Sequence, residues 1–367
     1  MDWQHAAKVM TAQLASNGEL TDPAWREAFE QVPRHLFVPQ FTIEQAYTDE
    51  ALITQRRTAP TAAGVGPALP TSSSSQPSVM AAMLQRAQLR PGMRVLEIGT
   101  ATGYHAALLS HRLGAGNVYS IELDPALCDT AGQRLAEAGF APHLRAGDGR
   151  AGWAEVAPFD RIIATCAVDH IPPAWIDQLA EGGRIVAPLL GDECALMVLD
   201  KTADDEVTGR FDDYRTAFMP LRPDLANPLA GGRRFGLATA GIGQYGTTAL
   251  DPAMFDHTDQ DLILLLHLHL AGLSIGQAEG QDGTFLTLTT PVASAQVATL
   301  ASDADGQFTT IQHGTRLWDT AEHVAGLWQR LGRPARHRYG ISALNRVDRQ
   351  YVWLDDPQSR YAWPMPL

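Results

Sequence analysis

Arg94-Val95-Leu96-Glu97-Ile98-Gly99-Thr100-Ala101-Thr102-Gly103 is the stretch whose reading decides the fold. Its first half is apolar or β-favouring, as a buried strand requires, and Gly99 opens a turn too tight for most side chains. Tyr104-His105-Ala106-Ala107-Leu108-Leu109 then reads as a helix opening at Gly103. Strand, glycine turn and helix N-terminus form a corner in which the backbone can approach a ligand closely. The next strand, Asn117-Val118-Tyr119-Ser120-Ile121-Glu122, ends in a carboxylate followed by Leu123 and Asp124. An acid at the tip of the second strand is where a ribose diol is held by two hydrogen bonds.

Outward from this corner the pattern alternates. It predicts strands at 94–98, 117–122, 142–146, 159–165, 183–189 and 195–200, and helices at 103–113, 125–138 and 173–180. A seventh strand is expected near Tyr214–Leu221. The fold class is therefore α/β: a Rossmann-like, mostly parallel, seven-stranded sheet covered on both faces, with ligands gathered at the carboxyl ends of the strands. Residues 2–32 read as two amphipathic helices, the second opening at Asp22-Pro23, and Val32–Pro39 as an extended segment pinned by two prolines. Residues 58–77, rich in Ala, Gly, Pro and Ser, have a linker's composition, yet helix Ser78–Ala87 and the corner follow at once. That placement favours a loop lying over the site.

At 367 residues two domains are expected. Arg222-Pro223-Asp224 and the stretch from Asn227-Pro228 to Gly231-Gly232 mark a boundary. Residues 1–221 then form the first domain and 222–367 a C-terminal α+β module. In the module Asp261–Leu270, Thr284–Thr289 and Gln350–Leu354 read as strands and Trp318–Leu331 as a helix. Apolar residues at 45% with 19% charged are ordinary for sizeable cores. A net charge of −13 argues against a general nucleic-acid or anionic-membrane surface, leaving only small basic pairs such as Arg56-Arg57 and Arg233-Arg234. The three cysteines, Cys128, Cys166 and Cys194, form no metal pattern and suggest a reducing compartment. The N-terminus lacks a basic region followed by an apolar one, and Leu262–Leu270 is too short to span a bilayer. A cytoplasmic location is expected.

Four stations point to S-adenosylmethionine. Glu97, Gly99, Thr100, Ala101, Gly103 and Tyr104 would cradle its amino-acid end, and Glu122 with Leu123 its ribose. Gly147-Asp148-Gly149-Arg150 would set Asp148 and Gly149 against the adenine, and Thr165-Cys166-Ala167 would end the fourth strand beside the sulfonium. A dinucleotide dehydrogenase shares the strand-glycine-helix-acid pattern, but leaves the Gly-Asp-Gly turn without a task.

The sequence resembles the protein-L-isoaspartate O-methyltransferases from about residue 5 to 221. The resemblance is carried by Val32-Pro33-Arg34, Phe37-Val38-Pro39, Ala46-Tyr47, Ser75-Gln76-Pro77, the Glu97–Tyr104 corner and Gly147-Asp148-Gly149-Arg150. Leu179-Ala180-Glu181-Gly182-Gly183-Arg184 and Phe218-Met219-Pro220-Leu221 extend it. It implies methyl transfer from S-adenosylmethionine, with S-adenosylhomocysteine as product and no metal, to a free carboxylate of a peptide or protein. The ester then closes onto a neighbouring backbone nitrogen as a succinimide. The family's serine matches Ser75, implying a hydroxyl contact to the substrate carboxylate, with Ser74 next in the serine run. Ser73 and Gln76 flank it as substrate contacts, and Phe218, Met219 and Pro220 match the family's substrate-backbone segment.

The sequence departs from the family pattern at Ser74, within a run of serines where an apolar residue is usual, and at Ala101, where the turn usually has glycine. The segment 58–70 and the module 222–367 depart further. Extended chains of this kind resemble methyltransferases of bacterial ribosomal-peptide (lanthipeptide and graspetide) biosynthesis clusters. That resemblance implies esterification of one aspartate of a dedicated, macrocyclic precursor peptide, ending in an aspartimide or isoaspartate. The alternative is general repair of isoaspartyl proteins. His257, His267 and His269 lack acidic or cysteine partners at ligand spacing, so no metal is expected, although His267 and His269 share a face if their segment is a strand. The helix bearing Trp318, Leu327, Trp328 and Leu331 reads as module core, and Cys166 as a packing residue.

Overall fold

The computed structural model describes residues 2–61, 64–191, 195–225, 243–255, 260–280, 283–290, 293–298 and 305–365. The chain opens with α1 (Trp3–Ser16) and α2 (Pro23–Gln31). Asp22 caps α2 by accepting from the Ala24 N–H at 2.8 Å, and Pro23 sits at its first turn, where a missing N–H costs nothing. The stretch expected to be extended contains one helical turn, α3 (Arg34–Phe37), followed by α4 (Ile43–Ala46). The buried Arg34 makes this turn an anchor, its guanidinium donating to the carbonyls of Ala46, Thr48, Glu50 and Ser75.

The segment read as a loop is a β-hairpin, β1 (Leu52–Thr61) with β2 (Gly64–Ser74), in antiparallel register from Leu52↔Ser74 to Thr61↔Gly64. Backbone pairing satisfies a strand whose small and polar side chains carry no hydrophobic alternation. It returns the serines to the start of α5 (Pro77–Arg86).

From there the alternation runs as read. The elements are β3 (Val95–Ile98), α6 (Tyr104–Leu113), β4 (Val118–Glu122), α7 (Pro125–Glu137), β5 (His143–Ala146), β6 (Phe159–Ala164), α8 (Pro173–Gln178), β7 (Leu179–Pro188), β8 (Ala195–Ala203) and β9 (Glu206–Arg215). The seventh strand thus ends where the sequence placed its start. Residues 216–221 continue as an extended segment bridged in parallel to Ala167 through Pro220.

Beyond residue 222 come β10 (Gln244–Thr248), α9 (Gln260–His269), β11 (Ser274–Gly280), β12 (Gly283–Thr289), β13 (Ser294–Ala298), β14 (Phe308–His313), α10 (Leu317–Arg330), β15 (Tyr339–Leu344), β16 (Gln350–Leu354) and β17 (Ala362–Pro364). The Asp261–Leu270 strand is a helix. Leu262 to Leu266 and Leu268 are all buried, and a helix buried all round has the same unbroken apolar run as a buried strand. His267 and His269 therefore do not share a face. Their ring nitrogens meet the Leu273 and Leu265 carbonyls at 3.3 and 2.8 Å, and His257 lies outside the described residues.

The main sheet is larger than expected, ten strands in the order β17-β16-β15-β9-β8-β7-β6-β3-β4-β5. The run from β7 to β5 is parallel, and from β7 to β17 every neighbour is antiparallel. Alternate residues of its strands feed two cores. Val95, Ile163, Val186 and Leu196 pack with α1, α2, α5 and α6. Leu96, Ile162, Ile185 and Met197 pack with α8, α9, α10 and the second, five-stranded sheet β10-β14-β13-β12-β11. Residues past 222 thus extend the main sheet and cover its second face.

Candidate functional site

The corner is built as its residues dictate. All four residues of β3 are buried, including Glu97, which is 0% exposed. Its carboxylate is bonded to His105 Nδ1 at 2.6 Å and accepts from Ser120 Oγ, and Ser120 in turn meets Thr100 Oγ1 at 2.6 Å. This buried network ties β3, the glycine turn, β4 and α6 together, which is how an isolated carboxylate can be tolerated inside a core. Gly99 and Gly103 have φ of +99° and +91°, and Ala101 takes φ +48° between them. A Cβ at Gly99 would stand 2.7 Å from Thr165 Oγ1, so glycine is required there on two counts.

A cavity of about 500 Å³ opens over this corner at the carboxyl ends of the parallel strands. Gly99, Thr100, Ala101, Tyr104, Glu122, Leu123, Gly149 and Thr165 line one side. Ser73, Ser74, Ser75 and Gln76 line it from β2 and the turn after it, and Phe218, Met219 and Pro220 from the extended segment. The structure thus brings nearly all the sequence-predicted site residues into one space. Glu97 and Gly103 lie beneath the lining, the first in the buried network and the second packed on Leu135 and Ala131. Asp148 also lies outside the lining. Its side chain is 34% exposed, its two oxygens share the Arg150 Nε–H at 3.1 and 3.0 Å, and one also accepts from an Arg150 terminal nitrogen at 2.7 Å. Gly149, its neighbour, does line the cavity, and a Cβ there would fall 2.4 Å from Ile98.

Glu122 is 7% exposed and accepts from the Ala101 and Asp124 N–H groups at 2.8 and 3.1 Å. Burial pushes its pKa up, and those two backbone hydrogen bonds pull it back. Burial likewise pushes the Cys166 thiol far up, so it stays protonated and acts as packing beside Thr165 rather than as a nucleophile.

Several polar groups on the cavity wall are buried without a hydrogen-bond partner among the described residues: Ser74 Oγ, Tyr104 OH, His105 Nε2 and an Arg222 terminal nitrogen. Each such group costs about 1–3 kcal/mol unless a ligand or water satisfies it. With the left-handed glycine turn and the buried acid at the tip of β4, this donor and acceptor set fits a polar nucleoside bearing an amino-acid tail.

Sequence reasoning missed the framing residues. Asp49 accepts from the Ser78 N–H at 2.8 Å and from Gln76 Nε2 at 3.0 Å, while Arg34 holds the Ser75 carbonyl at 3.0 Å. Together they fix the Ser-Gln-Pro turn. Asp124 binds Arg57 at 2.6 Å and Gln55 at 3.1 Å, tying the hairpin to the end of β4. Arg34, Arg57 and Asp124 stood inside quoted stretches without these contacts being read; Asp49 and Gln55 carry no local signal. Among the described residues no group of three or more metal-ligating side chains is found, and no helix is long and apolar enough to cross a membrane.

Comparison with known proteins gives the same reading. The family described as Protein-L-isoaspartate(D-aspartate) O-methyltransferase (PCMT) matches residues 5–225. Protein-L-isoaspartate O-methyltransferase 2 of Anaeromyxobacter sp. is 44% identical over 219 residues, 59% of this chain and 82% of that protein. The protein of the same name from Shewanella sediminis is 39% identical over 211 residues, 57% of this chain and 78% of its own. A solved structure titled protein-L-isoaspartate O-methyltransferase aligns at 23% identity with a TM-score of 0.57, covering 95% of this chain and 100% of that one. Its likeness is one of fold, and it reaches well beyond residue 225. The site is that of an S-adenosylmethionine-dependent methyltransferase, and the chain belongs to the protein-L-isoaspartate(D-aspartate) O-methyltransferase family.

Proposed function

We propose that this protein methylates the free carboxylate of L-isoaspartyl residues in peptides and proteins. The observation that carries the reading is the single cavity in which the corner, the serine run and the extended segment 216–221 converge. The cofactor, when bound, supplies an electrophilic methyl group on a sulfonium. The chain's own residues supply alignment. A carboxylate is already nucleophilic at neutral pH and has no proton to lose, so no general base is needed, and the rate comes from holding it in line in a site that excludes water.

Ser74 and Ser75 are the proposed contacts to the acceptor carboxylate. Ser74 is 2% exposed and its buried Oγ has no partner among the described residues, so a ligand oxygen would complete it. Glu122 is the proposed ribose ligand. Met219 accepts from the Ala167 N–H at 2.9 Å and Leu221 donates to the Ala167 carbonyl at 2.8 Å. Alternation along an extended chain then turns the Phe218 backbone groups and the Pro220 carbonyl the other way, where a peptide backbone can pair. The test is mass spectrometry of an isoaspartyl peptide and its aspartyl twin after incubation with S-adenosylmethionine. One methyl on the isoaspartyl peptide alone is expected; no methyl on either defeats the reading.

The second reading, a dedicated peptide tailored at one aspartate, rests on the residues beyond 225, which the family match does not include. On that reading residues 222–367 are a peptide-recognition module. The family match and the curated relatives support the first reading instead, and a fold likeness that spans 95% of this chain shows that such an extension also occurs beyond it. Methylation of a precursor peptide with no turnover of isoaspartyl peptides would reverse the choice.

A further inference from the structure

Arg222 follows the extended segment directly, and its backbone is set by the Leu221–Ala167 hydrogen bond. One of its terminal guanidinium nitrogens donates to the Thr71 carbonyl of β2 at 2.8 Å. The other is buried on the cavity wall with no partner among the described residues. The carboxylates closest to hand are already occupied. Asp124 holds Arg57 and Gln55, and both oxygens of Glu122 accept backbone N–H groups. Glu122 and Arg222 interact electrostatically, but no hydrogen bond joins them among the contacts described. Arg222 keeps its charge under all working conditions, so it presents a cation with one satisfied fork and one vacant.

We infer that Arg222 is a specificity-determining residue that receives the acceptor carboxylate of the peptide. The inference rests on the methyl-transfer reading above and adds the group that selects for the acceptor's charge. A guanidinium with a free fork is matched best by a carboxylate. Arg222 joins the two cavity walls assigned to the peptide, reaching Thr71 on the serine strand from the end of the Phe218–Leu221 segment. The Gly99 to Glu122 side of the cavity offers a ligand backbone groups and a carboxylate. A sulfonium held there would share the cavity with the Arg222 cation, and an anionic acceptor would relieve their repulsion. Methylation removes the acceptor's negative charge, so the ester leaves Arg222 unpaired and is released more readily than the substrate.

The test compares wild type with Arg222→Met and Arg222→Lys. It reads cofactor affinity by calorimetry, the KM for an isoaspartyl peptide, and inhibition by the same peptide with the carboxylate replaced by a carboxamide. Wild type is expected to prefer carboxylate over carboxamide by about tenfold or more, the worth of a hydrogen bond to a charged group. Arg222→Met should raise the peptide KM by a similar factor and erase that preference, with cofactor affinity within about twofold; Arg222→Lys should recover part of it. Retained cofactor binding shows that the variant is folded. If Arg222→Met instead weakens the cofactor about tenfold and keeps the carboxylate preference, Arg222 serves the cofactor's carboxylate and the inference is overturned. A wild type that turns over no isoaspartyl peptide defeats the underlying reading rather than the role of Arg222.

Discussion

The two walls proposed for the cavity, one for the cofactor and one for the acceptor, are built in opposite ways. The cofactor wall comes from one run of chain, β3, its glycine turn and α6, with the tip of β4 beside it. The hydrogen bonds that shape its turn are short in sequence or lie between adjacent parallel strands. The acceptor wall is gathered from far apart: the hairpin strand β2, the segment 216–222, and the stretch after β6 that carries Ala167. That last stretch is fixed from still further away. Gln350, at the start of β16, is buried and holds both the Ile171 N–H and its carbonyl, at 2.8 and 2.7 Å. The cofactor wall is thus a local invention of the fold, whereas the acceptor wall depends on residues on both sides of position 222.

The difference can be pressed by substitution. The largest effect is expected at Glu122→Ala, which removes a buried charged acceptor from the cofactor wall. Cofactor affinity should fall by about 100-fold or more, with charged hydrogen bonds worth about 1.5–3 kcal/mol each, as read by calorimetry. The same residue sets a pH dependence. Because burial raises its pKa, Glu122 takes up a proton at higher pH than an ordinary glutamate. Wild-type cofactor affinity should therefore fall, as pH is lowered, earlier than an unperturbed carboxylate would dictate. The linked stability runs the other way, since a carboxylate whose pKa is raised by folding favours the folded state at low pH and loses that contribution as pH rises.

Next in size is Gln350→Leu. It leaves two backbone groups of Ile171 buried and unpaired, at a cost of about 2–4 kcal/mol that denaturant unfolding would show. Its functional trace should be a raised peptide KM with cofactor affinity preserved, because the strap supports the acceptor wall. Smaller still is Ser74→Ala. Turnover of isoaspartyl peptide should drop about tenfold while stability holds or rises, since the lost hydroxyl has no partner among the described residues. Smallest is Ala101→Gly, which relieves a left-handed alanine and should stabilise the fold by about 1 kcal/mol, seen as a higher Tm.

The same contrast explains what could be read in advance. Gly99, Glu122 and the alternation from Val95 to Ala203 were legible because strand, turn and helix announce themselves within a few residues. The hairpin was not, because Thr58 to Ser75 has no hydrophobic alternation and its structure lies in the register with Leu52–Thr61. Gln260–His269 was misread because a run buried on every side has no period to tell helix from strand. Asp148 belonged to a family motif, yet its carboxylate is held by Arg150, two residues on, and only Gly149 reaches the cavity. Arg222 was read only as part of a boundary and Gln350 only as the start of a strand, since their roles depend on Thr71 and Ile171, over a hundred residues away in each case.

The most direct test is to titrate S-adenosylhomocysteine calorimetrically into wild type, Glu122→Ala and Ser74→Ala side by side. Separate walls predict that Ser74→Ala binds as wild type does and Glu122→Ala loses most of its affinity. Equal weakening in both variants, or an unchanged Glu122→Ala, would contradict the division of the cavity into a cofactor wall and an acceptor wall.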